Sequence, residues 1–258
     1  MSASVISDKI PLEVKALPRF FVDGSQLGGN TFMLTGEHAA HVKVLRLRCG
    51  DHVTLCDGAG MDYPGVITEI TPEAVYLDIA APQPAGSEPA IAVSVYMAYA
   101  KGDKLEHVIQ KATELGALEV IAFPSSRCVA KLDSKTLAKK LPRWQKIAAA
   151  AAEQSGRGRI PAVLACSSYQ EALDRAVKAE KALFFYENEQ EHTLSGALSG
   201  SFSAVSLMTG PEGGFSPEEA QQAIDAGMQC CTLGRRILRC ETAPLCALSA
   251  VMFAAGEY

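Results

Sequence analysis

No C-x-x-C pair occurs among the eight cysteines (Cys49, Cys56, Cys128, Cys166, Cys230, Cys231, Cys240 and Cys246), and none is set with histidines at zinc spacing. His38 and His41 form an H-x-x-H with no acidic or cysteine partner at ligand spacing nearby, which suits a surface or capping role; no metal is expected. There is no G-x-x-x-x-G-K-[ST], which excludes Walker-type ATPases. No G-x-G-x-x-G follows the strand expected at Ile91–Tyr99, so the usual dinucleotide fingerprint is missing. The longest apolar run, Ala243 to Ala255, is too short to span a bilayer and reads as a buried terminal helix. The N-terminus has no apolar signal-peptide core, so the thiols are expected to be reduced and the protein cytoplasmic. A basic excess is lacking too: 24 Lys and Arg against 29 Asp and Glu give −5, which taken alone speaks against a nucleic-acid partner.

What is present is a chain of 258 residues, 48% hydrophobic and 21% charged, with enough apolar material for a real core and a length that favours two domains. The charge is unevenly spread. Residues 1–88 carry 6 basic and 11 acidic side chains, whereas Arg127 to Arg159 carries nine basic and two acidic ones, a net +7. That stretch is either a solvated helix face or a surface for an anionic partner.

Residues 1–17 read as a polar lead-in. From 18 to 81 short strand-like segments (Phe20–Val22, Thr31–Leu34, Val53–Cys56, Tyr63–Ile70, Ala74–Ile79) alternate with turn signals, and one helical piece, Glu37–Leu45, interrupts them. This predicts a small β-barrel. Residues 82–89 are a Pro-rich linker. From 90 to 258 strands alternate with helices, which predicts an α/β domain with a mostly parallel sheet covered on both faces. In it Asp103 and Glu106 have capping-box spacing, Gly116 ends that helix, and Pro142 should interrupt a basic helical region over 134–154.

Ligands of open α/β sheets bind at the carboxyl ends of strands. Two such ends stand out. The first is Leu207-Met-Thr-Gly-Pro-Glu-Gly-Gly-Phe-Ser216, where Ser216 and Glu219 complete a capping box. It is either a tight turn or a ligand loop, and Gly210, Gly213 and Gly214 together exceed what a turn requires. The second is Thr232-Leu-Gly-Arg-Arg-Ile-Leu-Arg-Cys-Glu-Thr-Ala243, with Arg235, Arg236 and Arg239 close together and Thr242 placed to cap the last helix. Its arginines either serve an anionic or charge-gaining substrate or pair with Glu241 on the surface.

Thr209-Gly-Pro-Glu-Gly-Gly-Phe-Ser216 and Leu233-Gly-Arg-Arg-Ile-Leu-Arg-Cys-Glu-Thr-Ala243 resemble the two signature loops of the RsmE-type, SPOUT-class 16S ribosomal RNA (uridine-N3) methyltransferases. Pro18-Arg-Phe-Phe21, Lys101-Gly-Asp-Lys-Leu-Glu106 with Gln110-Lys-Ala-Thr-Glu-Leu-Gly116, and Ala152-Glu-Gln-Ser-Gly-Arg157 match in order. The resemblance implies a PUA-like RNA-binding domain over 18–81 and a SPOUT methyltransferase domain over 90–258. It further implies a C-terminal trefoil knot, a homodimer, and 16S ribosomal RNA or the small ribosomal subunit as partner. S-adenosylmethionine is the implied cofactor, held by Thr209, Gly210, Pro211, Glu212, Gly213, Leu233, Gly234, Ile237, Leu238 and Ala243. One departure is Cys240, where the family usually has threonine.

Removing the N3 proton of uridine spreads negative charge over N3 and its flanking carbonyls, which a guanidinium can stabilise. Arg239 is the first candidate for that role. Glu241 either orients it, helps proton removal, or is an ion-pair partner. RNA contacts are expected from Arg19, Lys43, Arg46, Arg48, Arg127, Arg157 and Arg159, and less from Lys139 and Lys140. Gln110, Lys111, Glu114, Glu153 and Gln154 match motifs but are explained as well by packing. A ribose 2′-O methyltransferase of the same class, a non-catalytic ribosome-assembly protein and a nicotinamide oxidoreductase are the alternatives.

Overall fold

The computed structural model describes residues 17–258, so the expected lead-in lies outside it except for Leu17. The described residues form two compact units: 17–57 with Asp62–Gln83, and Gly58–Met61 with Pro84–Tyr258.

The first unit contains β1 (Arg19–Phe21), β2 (Thr31–Thr35), α1 (Gly36–Val44), β3 (His52–Cys56), β4 (Met61–Ile70) apart from its first residue, and β5 (Ala74–Ile79). The strands follow the path β1-β3-β4-β5-β2, with β1 parallel to β3 and the other pairs antiparallel. Alternation sets the faces: Phe32 and Leu34 are buried while Thr31, Met33 and Thr35 are exposed. All five strands and α1 feed one core around Phe20, Leu34, Val42, Leu55, Ile67, Val75 and Leu77. His38 and His41 both set their rings edge-on to Phe20, with centroids 6.0 and 5.7 Å away. Both are half-buried, so from the surface the sequence suggested they also pack on the core.

After the two-residue β6 (Gln83–Pro84), the second unit runs β7 (Ala92–Ala98), α2 (Lys104–Glu114), β8 (Glu119–Phe123), α3 (Ser134–Ser155), β9 (Ala162–Ala165), α4 (Tyr169–Ala176), β10 (Lys181–Phe185), α5 (Leu194–Ala197), β11 (Ala204–Thr209), α6 (Pro217–Asp225), β12 (Gln229–Cys231) and α7 (Ala243–Ala254). Its sheet has the order β12-β10-β11-β7-β8-β9 and is parallel throughout, as the β-α alternation predicted. The side-chain period of two splits each strand between two cores. Val93, Val95, Met97, Val120 and Leu207 face α2, α3, α5 and α7, whereas Tyr96, Ala98, Ile121 and Met208 face α4 and α6.

Several local expectations need correction. α3 runs unbroken through Pro142. Pro142 is exposed, and Trp144, Ala148, Ala151 and Ala152 anchor the helix beyond it, so the packing outweighs one lost backbone bond. Asp103 makes no side-chain cap, and Glu106 instead accepts from Arg143 at 2.7 Å. Thr242 likewise makes no side-chain cap, its backbone already being helical. α7 is buried on one face, around Ala247, Leu248, Val251 and Met252, but leaves Phe253 72% exposed. Gly116 does end α2, at φ +94°, where a Cβ would come within 2.7 Å of the Pro89 ring.

Candidate functional site

The loop after β11 is held by α6. Ser216 accepts from the Glu219 amide at 3.2 Å, and Glu219 returns the bond to the Ser216 amide at 3.0 Å, completing the capping box read from the sequence. Glu219 does more than cap. It is buried, and it also accepts from the Ser126 amide (2.7 Å) and from the hydroxyls of Ser126 and Ser125 (2.8 and 3.2 Å). Burial opposes its charge, and these donors outweigh burial, so the carboxyl sits below the usual carboxylate range. One carboxylate thus ties the loop after β8 to the loop after β11.

The glycines of this loop have packing reasons. Gly214 lies at φ +65°, the left-handed region that favours glycine, beneath the Glu187 carboxylate. A Cβ on Gly210 would meet the Phe215 ring at 3.1 Å, and one on Gly213 would meet Arg127 at 3.3 Å. Arg127 also donates to the Gly213 carbonyl at 3.1 Å.

The loops after β11 and β12 meet in a cleft of about 440 Å³ at the carboxyl ends of β10, β11 and β12. It is lined by Thr209–Gly213, Leu233, Gly234, Ile237, Leu238 and Ala243, every residue the sequence grouped at the cofactor, together with Arg239. Thr209 spends its hydroxyl on the Tyr96 carbonyl at 3.2 Å, so its part in the cleft wall is steric. Ile237, an apolar side chain, is 80% exposed at the rim.

The charges sort in an unexpected way. Glu241 takes Lys104 as its partner (3.6 Å), and Lys104 also donates to Glu212 (3.1 Å) and approaches the Cys240 sulfur (3.8 Å). Burial opposes the charge of Glu212, but the Lys101 amide at 2.9 Å and the Lys104 ammonium prevail, holding it below the usual carboxylate range. Glu241 is held low by its own amide, by the Cys240 thiol and by Lys104. Arg235, Arg236 and Arg239 are exposed and, among the described residues, form no salt bridge. The alternative of an arginine cluster paired with Glu241 therefore fails: the lysine pairs with the carboxylates and leaves the guanidinium groups of Arg236 and Arg239 in the cleft lining.

The basic residues expected at RNA divide. Lys43, Arg46, Arg48, Arg127 and Arg159 are exposed. Arg157 is not; it is 3% exposed, forks onto Glu88 at 2.7 and 3.2 Å, and donates to the carbonyls of Thr113 and Ala117 at 3.0 and 2.7 Å. Its expected phosphate contact is withdrawn because it is buried and all three guanidinium nitrogens are already engaged inside the fold. Arg19 is withdrawn likewise: only 14% exposed, it forks onto Asp62 and also reaches the Cys56 sulfur at 2.9 Å. Among the motif matches, Lys111 and Glu114 pair with each other at 2.8 Å.

Sequence reasoning missed Lys104 as a site residue, and it missed Phe185, Tyr186 and Glu187, which close the cleft from the end of β10. Lys104 stood in a matching motif, but its partners are 108 and 136 positions away. Among the described residues no group of three His, Cys, Asp or Glu could hold a metal ion, and no helix is long and apolar enough to cross a membrane.

Residues 87–252 match the model of the RNA methyltransferase domain family, and residues 34–80 match the RNA methyltransferase PUA domain. The chain is 37% identical over 230 residues to ribosomal RNA small subunit methyltransferase E of Bacillus subtilis, covering 86% of this chain and 90% of that protein. It is 32% identical to the protein of the same name from Mesomycoplasma hyopneumoniae, covering 90% and 97%. Among solved structures it is similar to ribosomal RNA small subunit methyltransferase E from Neisseria gonorrhoeae bound to S-adenosyl methionine. The TM-score is 0.82 and the identity 34%, covering 92% of this chain and 97% of that one.

Proposed function

Because this chain belongs to the ribosomal RNA small subunit methyltransferase E family, we propose that it transfers a methyl group from S-adenosylmethionine to N3 of a uridine in 16S ribosomal RNA. The observation that carries this reading is the cleft itself. At about 440 Å³ it falls within the roughly 300–1,000 Å³ typical of ligand pockets. Its backbone is accessible at the glycine loop, Ile237 offers an apolar surface for a ring, and unpaired guanidinium groups stand at its edge. Thr209–Gly213 and Leu233–Leu238 would surround the adenine and ribose, with Ala243 close by; when bound, the cofactor supplies a methyl group on a cationic sulfur.

Arg239 faces the uridine and stabilises the charge that develops over N3 and the flanking carbonyls as the N3 proton passes to solvent water and the methyl group bonds to N3, with S-adenosylhomocysteine as the other product. Glu241 is held as an anion and engaged by Lys104 and Cys240, which makes it a weak proton acceptor. Its role in this reading is to fix Lys104 and the loop that presents Arg239. The trefoil knot belongs to the same reading, supported by β11 lying between β7 and β10 while the loops after β11 and β12 line one cleft. A homodimer also belongs to it, supported by Phe253 on the uncovered face of α7. So does a cytoplasmic site of action, where eight free thiols stay reduced.

The test is to compare 16S ribosomal RNA from cells with and without this chain by mass spectrometry. Loss of one base-methylated uridine is expected; loss of a ribose methyl group, or no change, overturns the reading. Arg239→Ala should cut single-turnover methyl transfer at least ~10-fold while calorimetry shows S-adenosylhomocysteine still bound. Undiminished transfer removes Arg239 from the catalytic role.

A further inference from the structure

Glu187, just past the end of β10, is an exposed residue of the cleft wall, and among the described residues its carboxylate makes no hydrogen bond and no salt bridge. The glycine loop fixes its place. β10 and β11 are parallel neighbours with Phe184 opposite Met208, so the chain leaving β10 runs beside the loop leaving β11. The carboxylate fills the room that a side chain at Gly214 would need: a Cβ there would lie 2.7 Å from its Cδ and 2.8 Å from its Oε2. Both oxygens therefore lie against the 210–214 wall. The other side-chain oxygens of the lining are engaged. Glu212 holds the Lys101 amide and Lys104, and the buried Thr209 hydroxyl is turned to the Tyr96 carbonyl. The Tyr186 hydroxyl accepts from Asn188 at 3.1 Å, and the Thr232 hydroxyl accepts from the Gly234 amide at 3.2 Å. Glu187 is thus the side-chain acceptor left free in the cleft.

Resting on the reading above that the cleft takes S-adenosylmethionine, we infer that Glu187 is a cofactor-binding residue that accepts hydrogen bonds from the 2′- and 3′-hydroxyls of its ribose. An ionised carboxylate only accepts, and its two oxygens match two adjacent hydroxyl donors. Its place against the glycine loop favours the ribose over the uridine, because that loop is the one assigned above to the adenine and ribose. A free anion here would repel an RNA phosphate, so a donor ligand must lie between the two.

The test is calorimetry on the full chain with S-adenosylhomocysteine and its 2′,3′-dideoxy analogue. The wild-type protein should bind the analogue at least ~10-fold more weakly, since hydrogen bonds to a charged acceptor are the strong ones. Glu187→Ala should bind S-adenosylhomocysteine about tenfold more weakly, yet bind the analogue at least as well as the wild type does, because there the carboxylate has nothing to hold. Glu187→Gln, which keeps one acceptor oxygen, should fall between. Glu187 makes no bond within the fold, so thermal unfolding of both variants should match the wild type. Unchanged affinity of Glu187→Ala for S-adenosylhomocysteine would mean a solvated carboxylate only. Equal weakening of both ligands would assign the carboxylate to another part of the cofactor. Retained affinity with lost methyl transfer would assign it to the uridine. Each of these overturns the inference. Failure of the wild-type protein to bind either ligand would instead overturn the methyltransferase reading beneath it.

Discussion

Cys240 occupies the position where the resemblance expects threonine, and its surroundings say what the side chain there does. The thiol is 8% exposed and burial pushes it up to about 12, so it stays protonated at neutral pH. As a donor it reaches Oε2 of Glu241 at 3.2 Å, on the same carboxylate that pairs with Lys104. A threonine hydroxyl can make that bond and is the stronger donor. Cys240→Thr should therefore keep the single-turnover rate within about threefold, whereas Cys240→Ala should lower it about threefold to tenfold, the usual worth of one hydrogen bond. Equal rates for all three proteins would show that the bond to Glu241 does not matter. The cleft was legible at this scale because its residues cluster in two short runs that end strands. Lys104 was not, because the carboxylates that give it meaning are brought to it only by the fold.

At the scale of elements, most strands and helices were legible from period and punctuation. Ser216-Pro217 opens α6, Gly116 closes α2, and alternation along β7 and β8 divides the two cores. The misreadings share a cause. Pro142, Asp103 and Thr242 were judged by local rules, but packing carries α3 through Pro142, Glu106 turns to Arg143 rather than to an Asp103 cap, and the Thr242 backbone is already helical. Arg157 is the largest such case. It looked like one more cation in a basic stretch, yet it clamps Glu88 to the end of α2, and Glu88 also accepts from the amides of Gly158 and Arg159 at 3.0 and 3.1 Å. Removing one partner from a buried ion pair leaves the other charge stranded. Arg157→Ala should cost about 3–5 kcal/mol of unfolding free energy in denaturant titration. A loss below about 1 kcal/mol, the range of a surface pair, would place Arg157 back among the solvated cations.

At the scale of the molecule, the issue is how a chain of net charge −5 holds RNA. Total charge is the wrong measure, because association follows the local field of unpaired cations rather than the sum. Arg19 in the first unit is cancelled by Asp62, but Arg46 and Arg48 are exposed and, among the described residues, form no salt bridge, as is the case for Arg127 and Arg159 in the second. Each cation that meets a phosphate releases counterion on binding, which fixes how steeply affinity falls with salt. Replacing Arg46 and Arg48 together by alanine should lower the slope of log affinity against log salt by about 1.4–1.8, at about 0.7–0.9 for each phosphate no longer neutralised. The weakening should be alike for different RNA sequences, because phosphate contacts carry no base information. Arg19→Ala supplies the contrast: its guanidinium is committed to Asp62 and Cys56, so stability should fall while the salt slope stays. An unchanged slope in the double variant would confine RNA recognition to the second unit. The acidic N-terminal part would then contribute shape rather than charge.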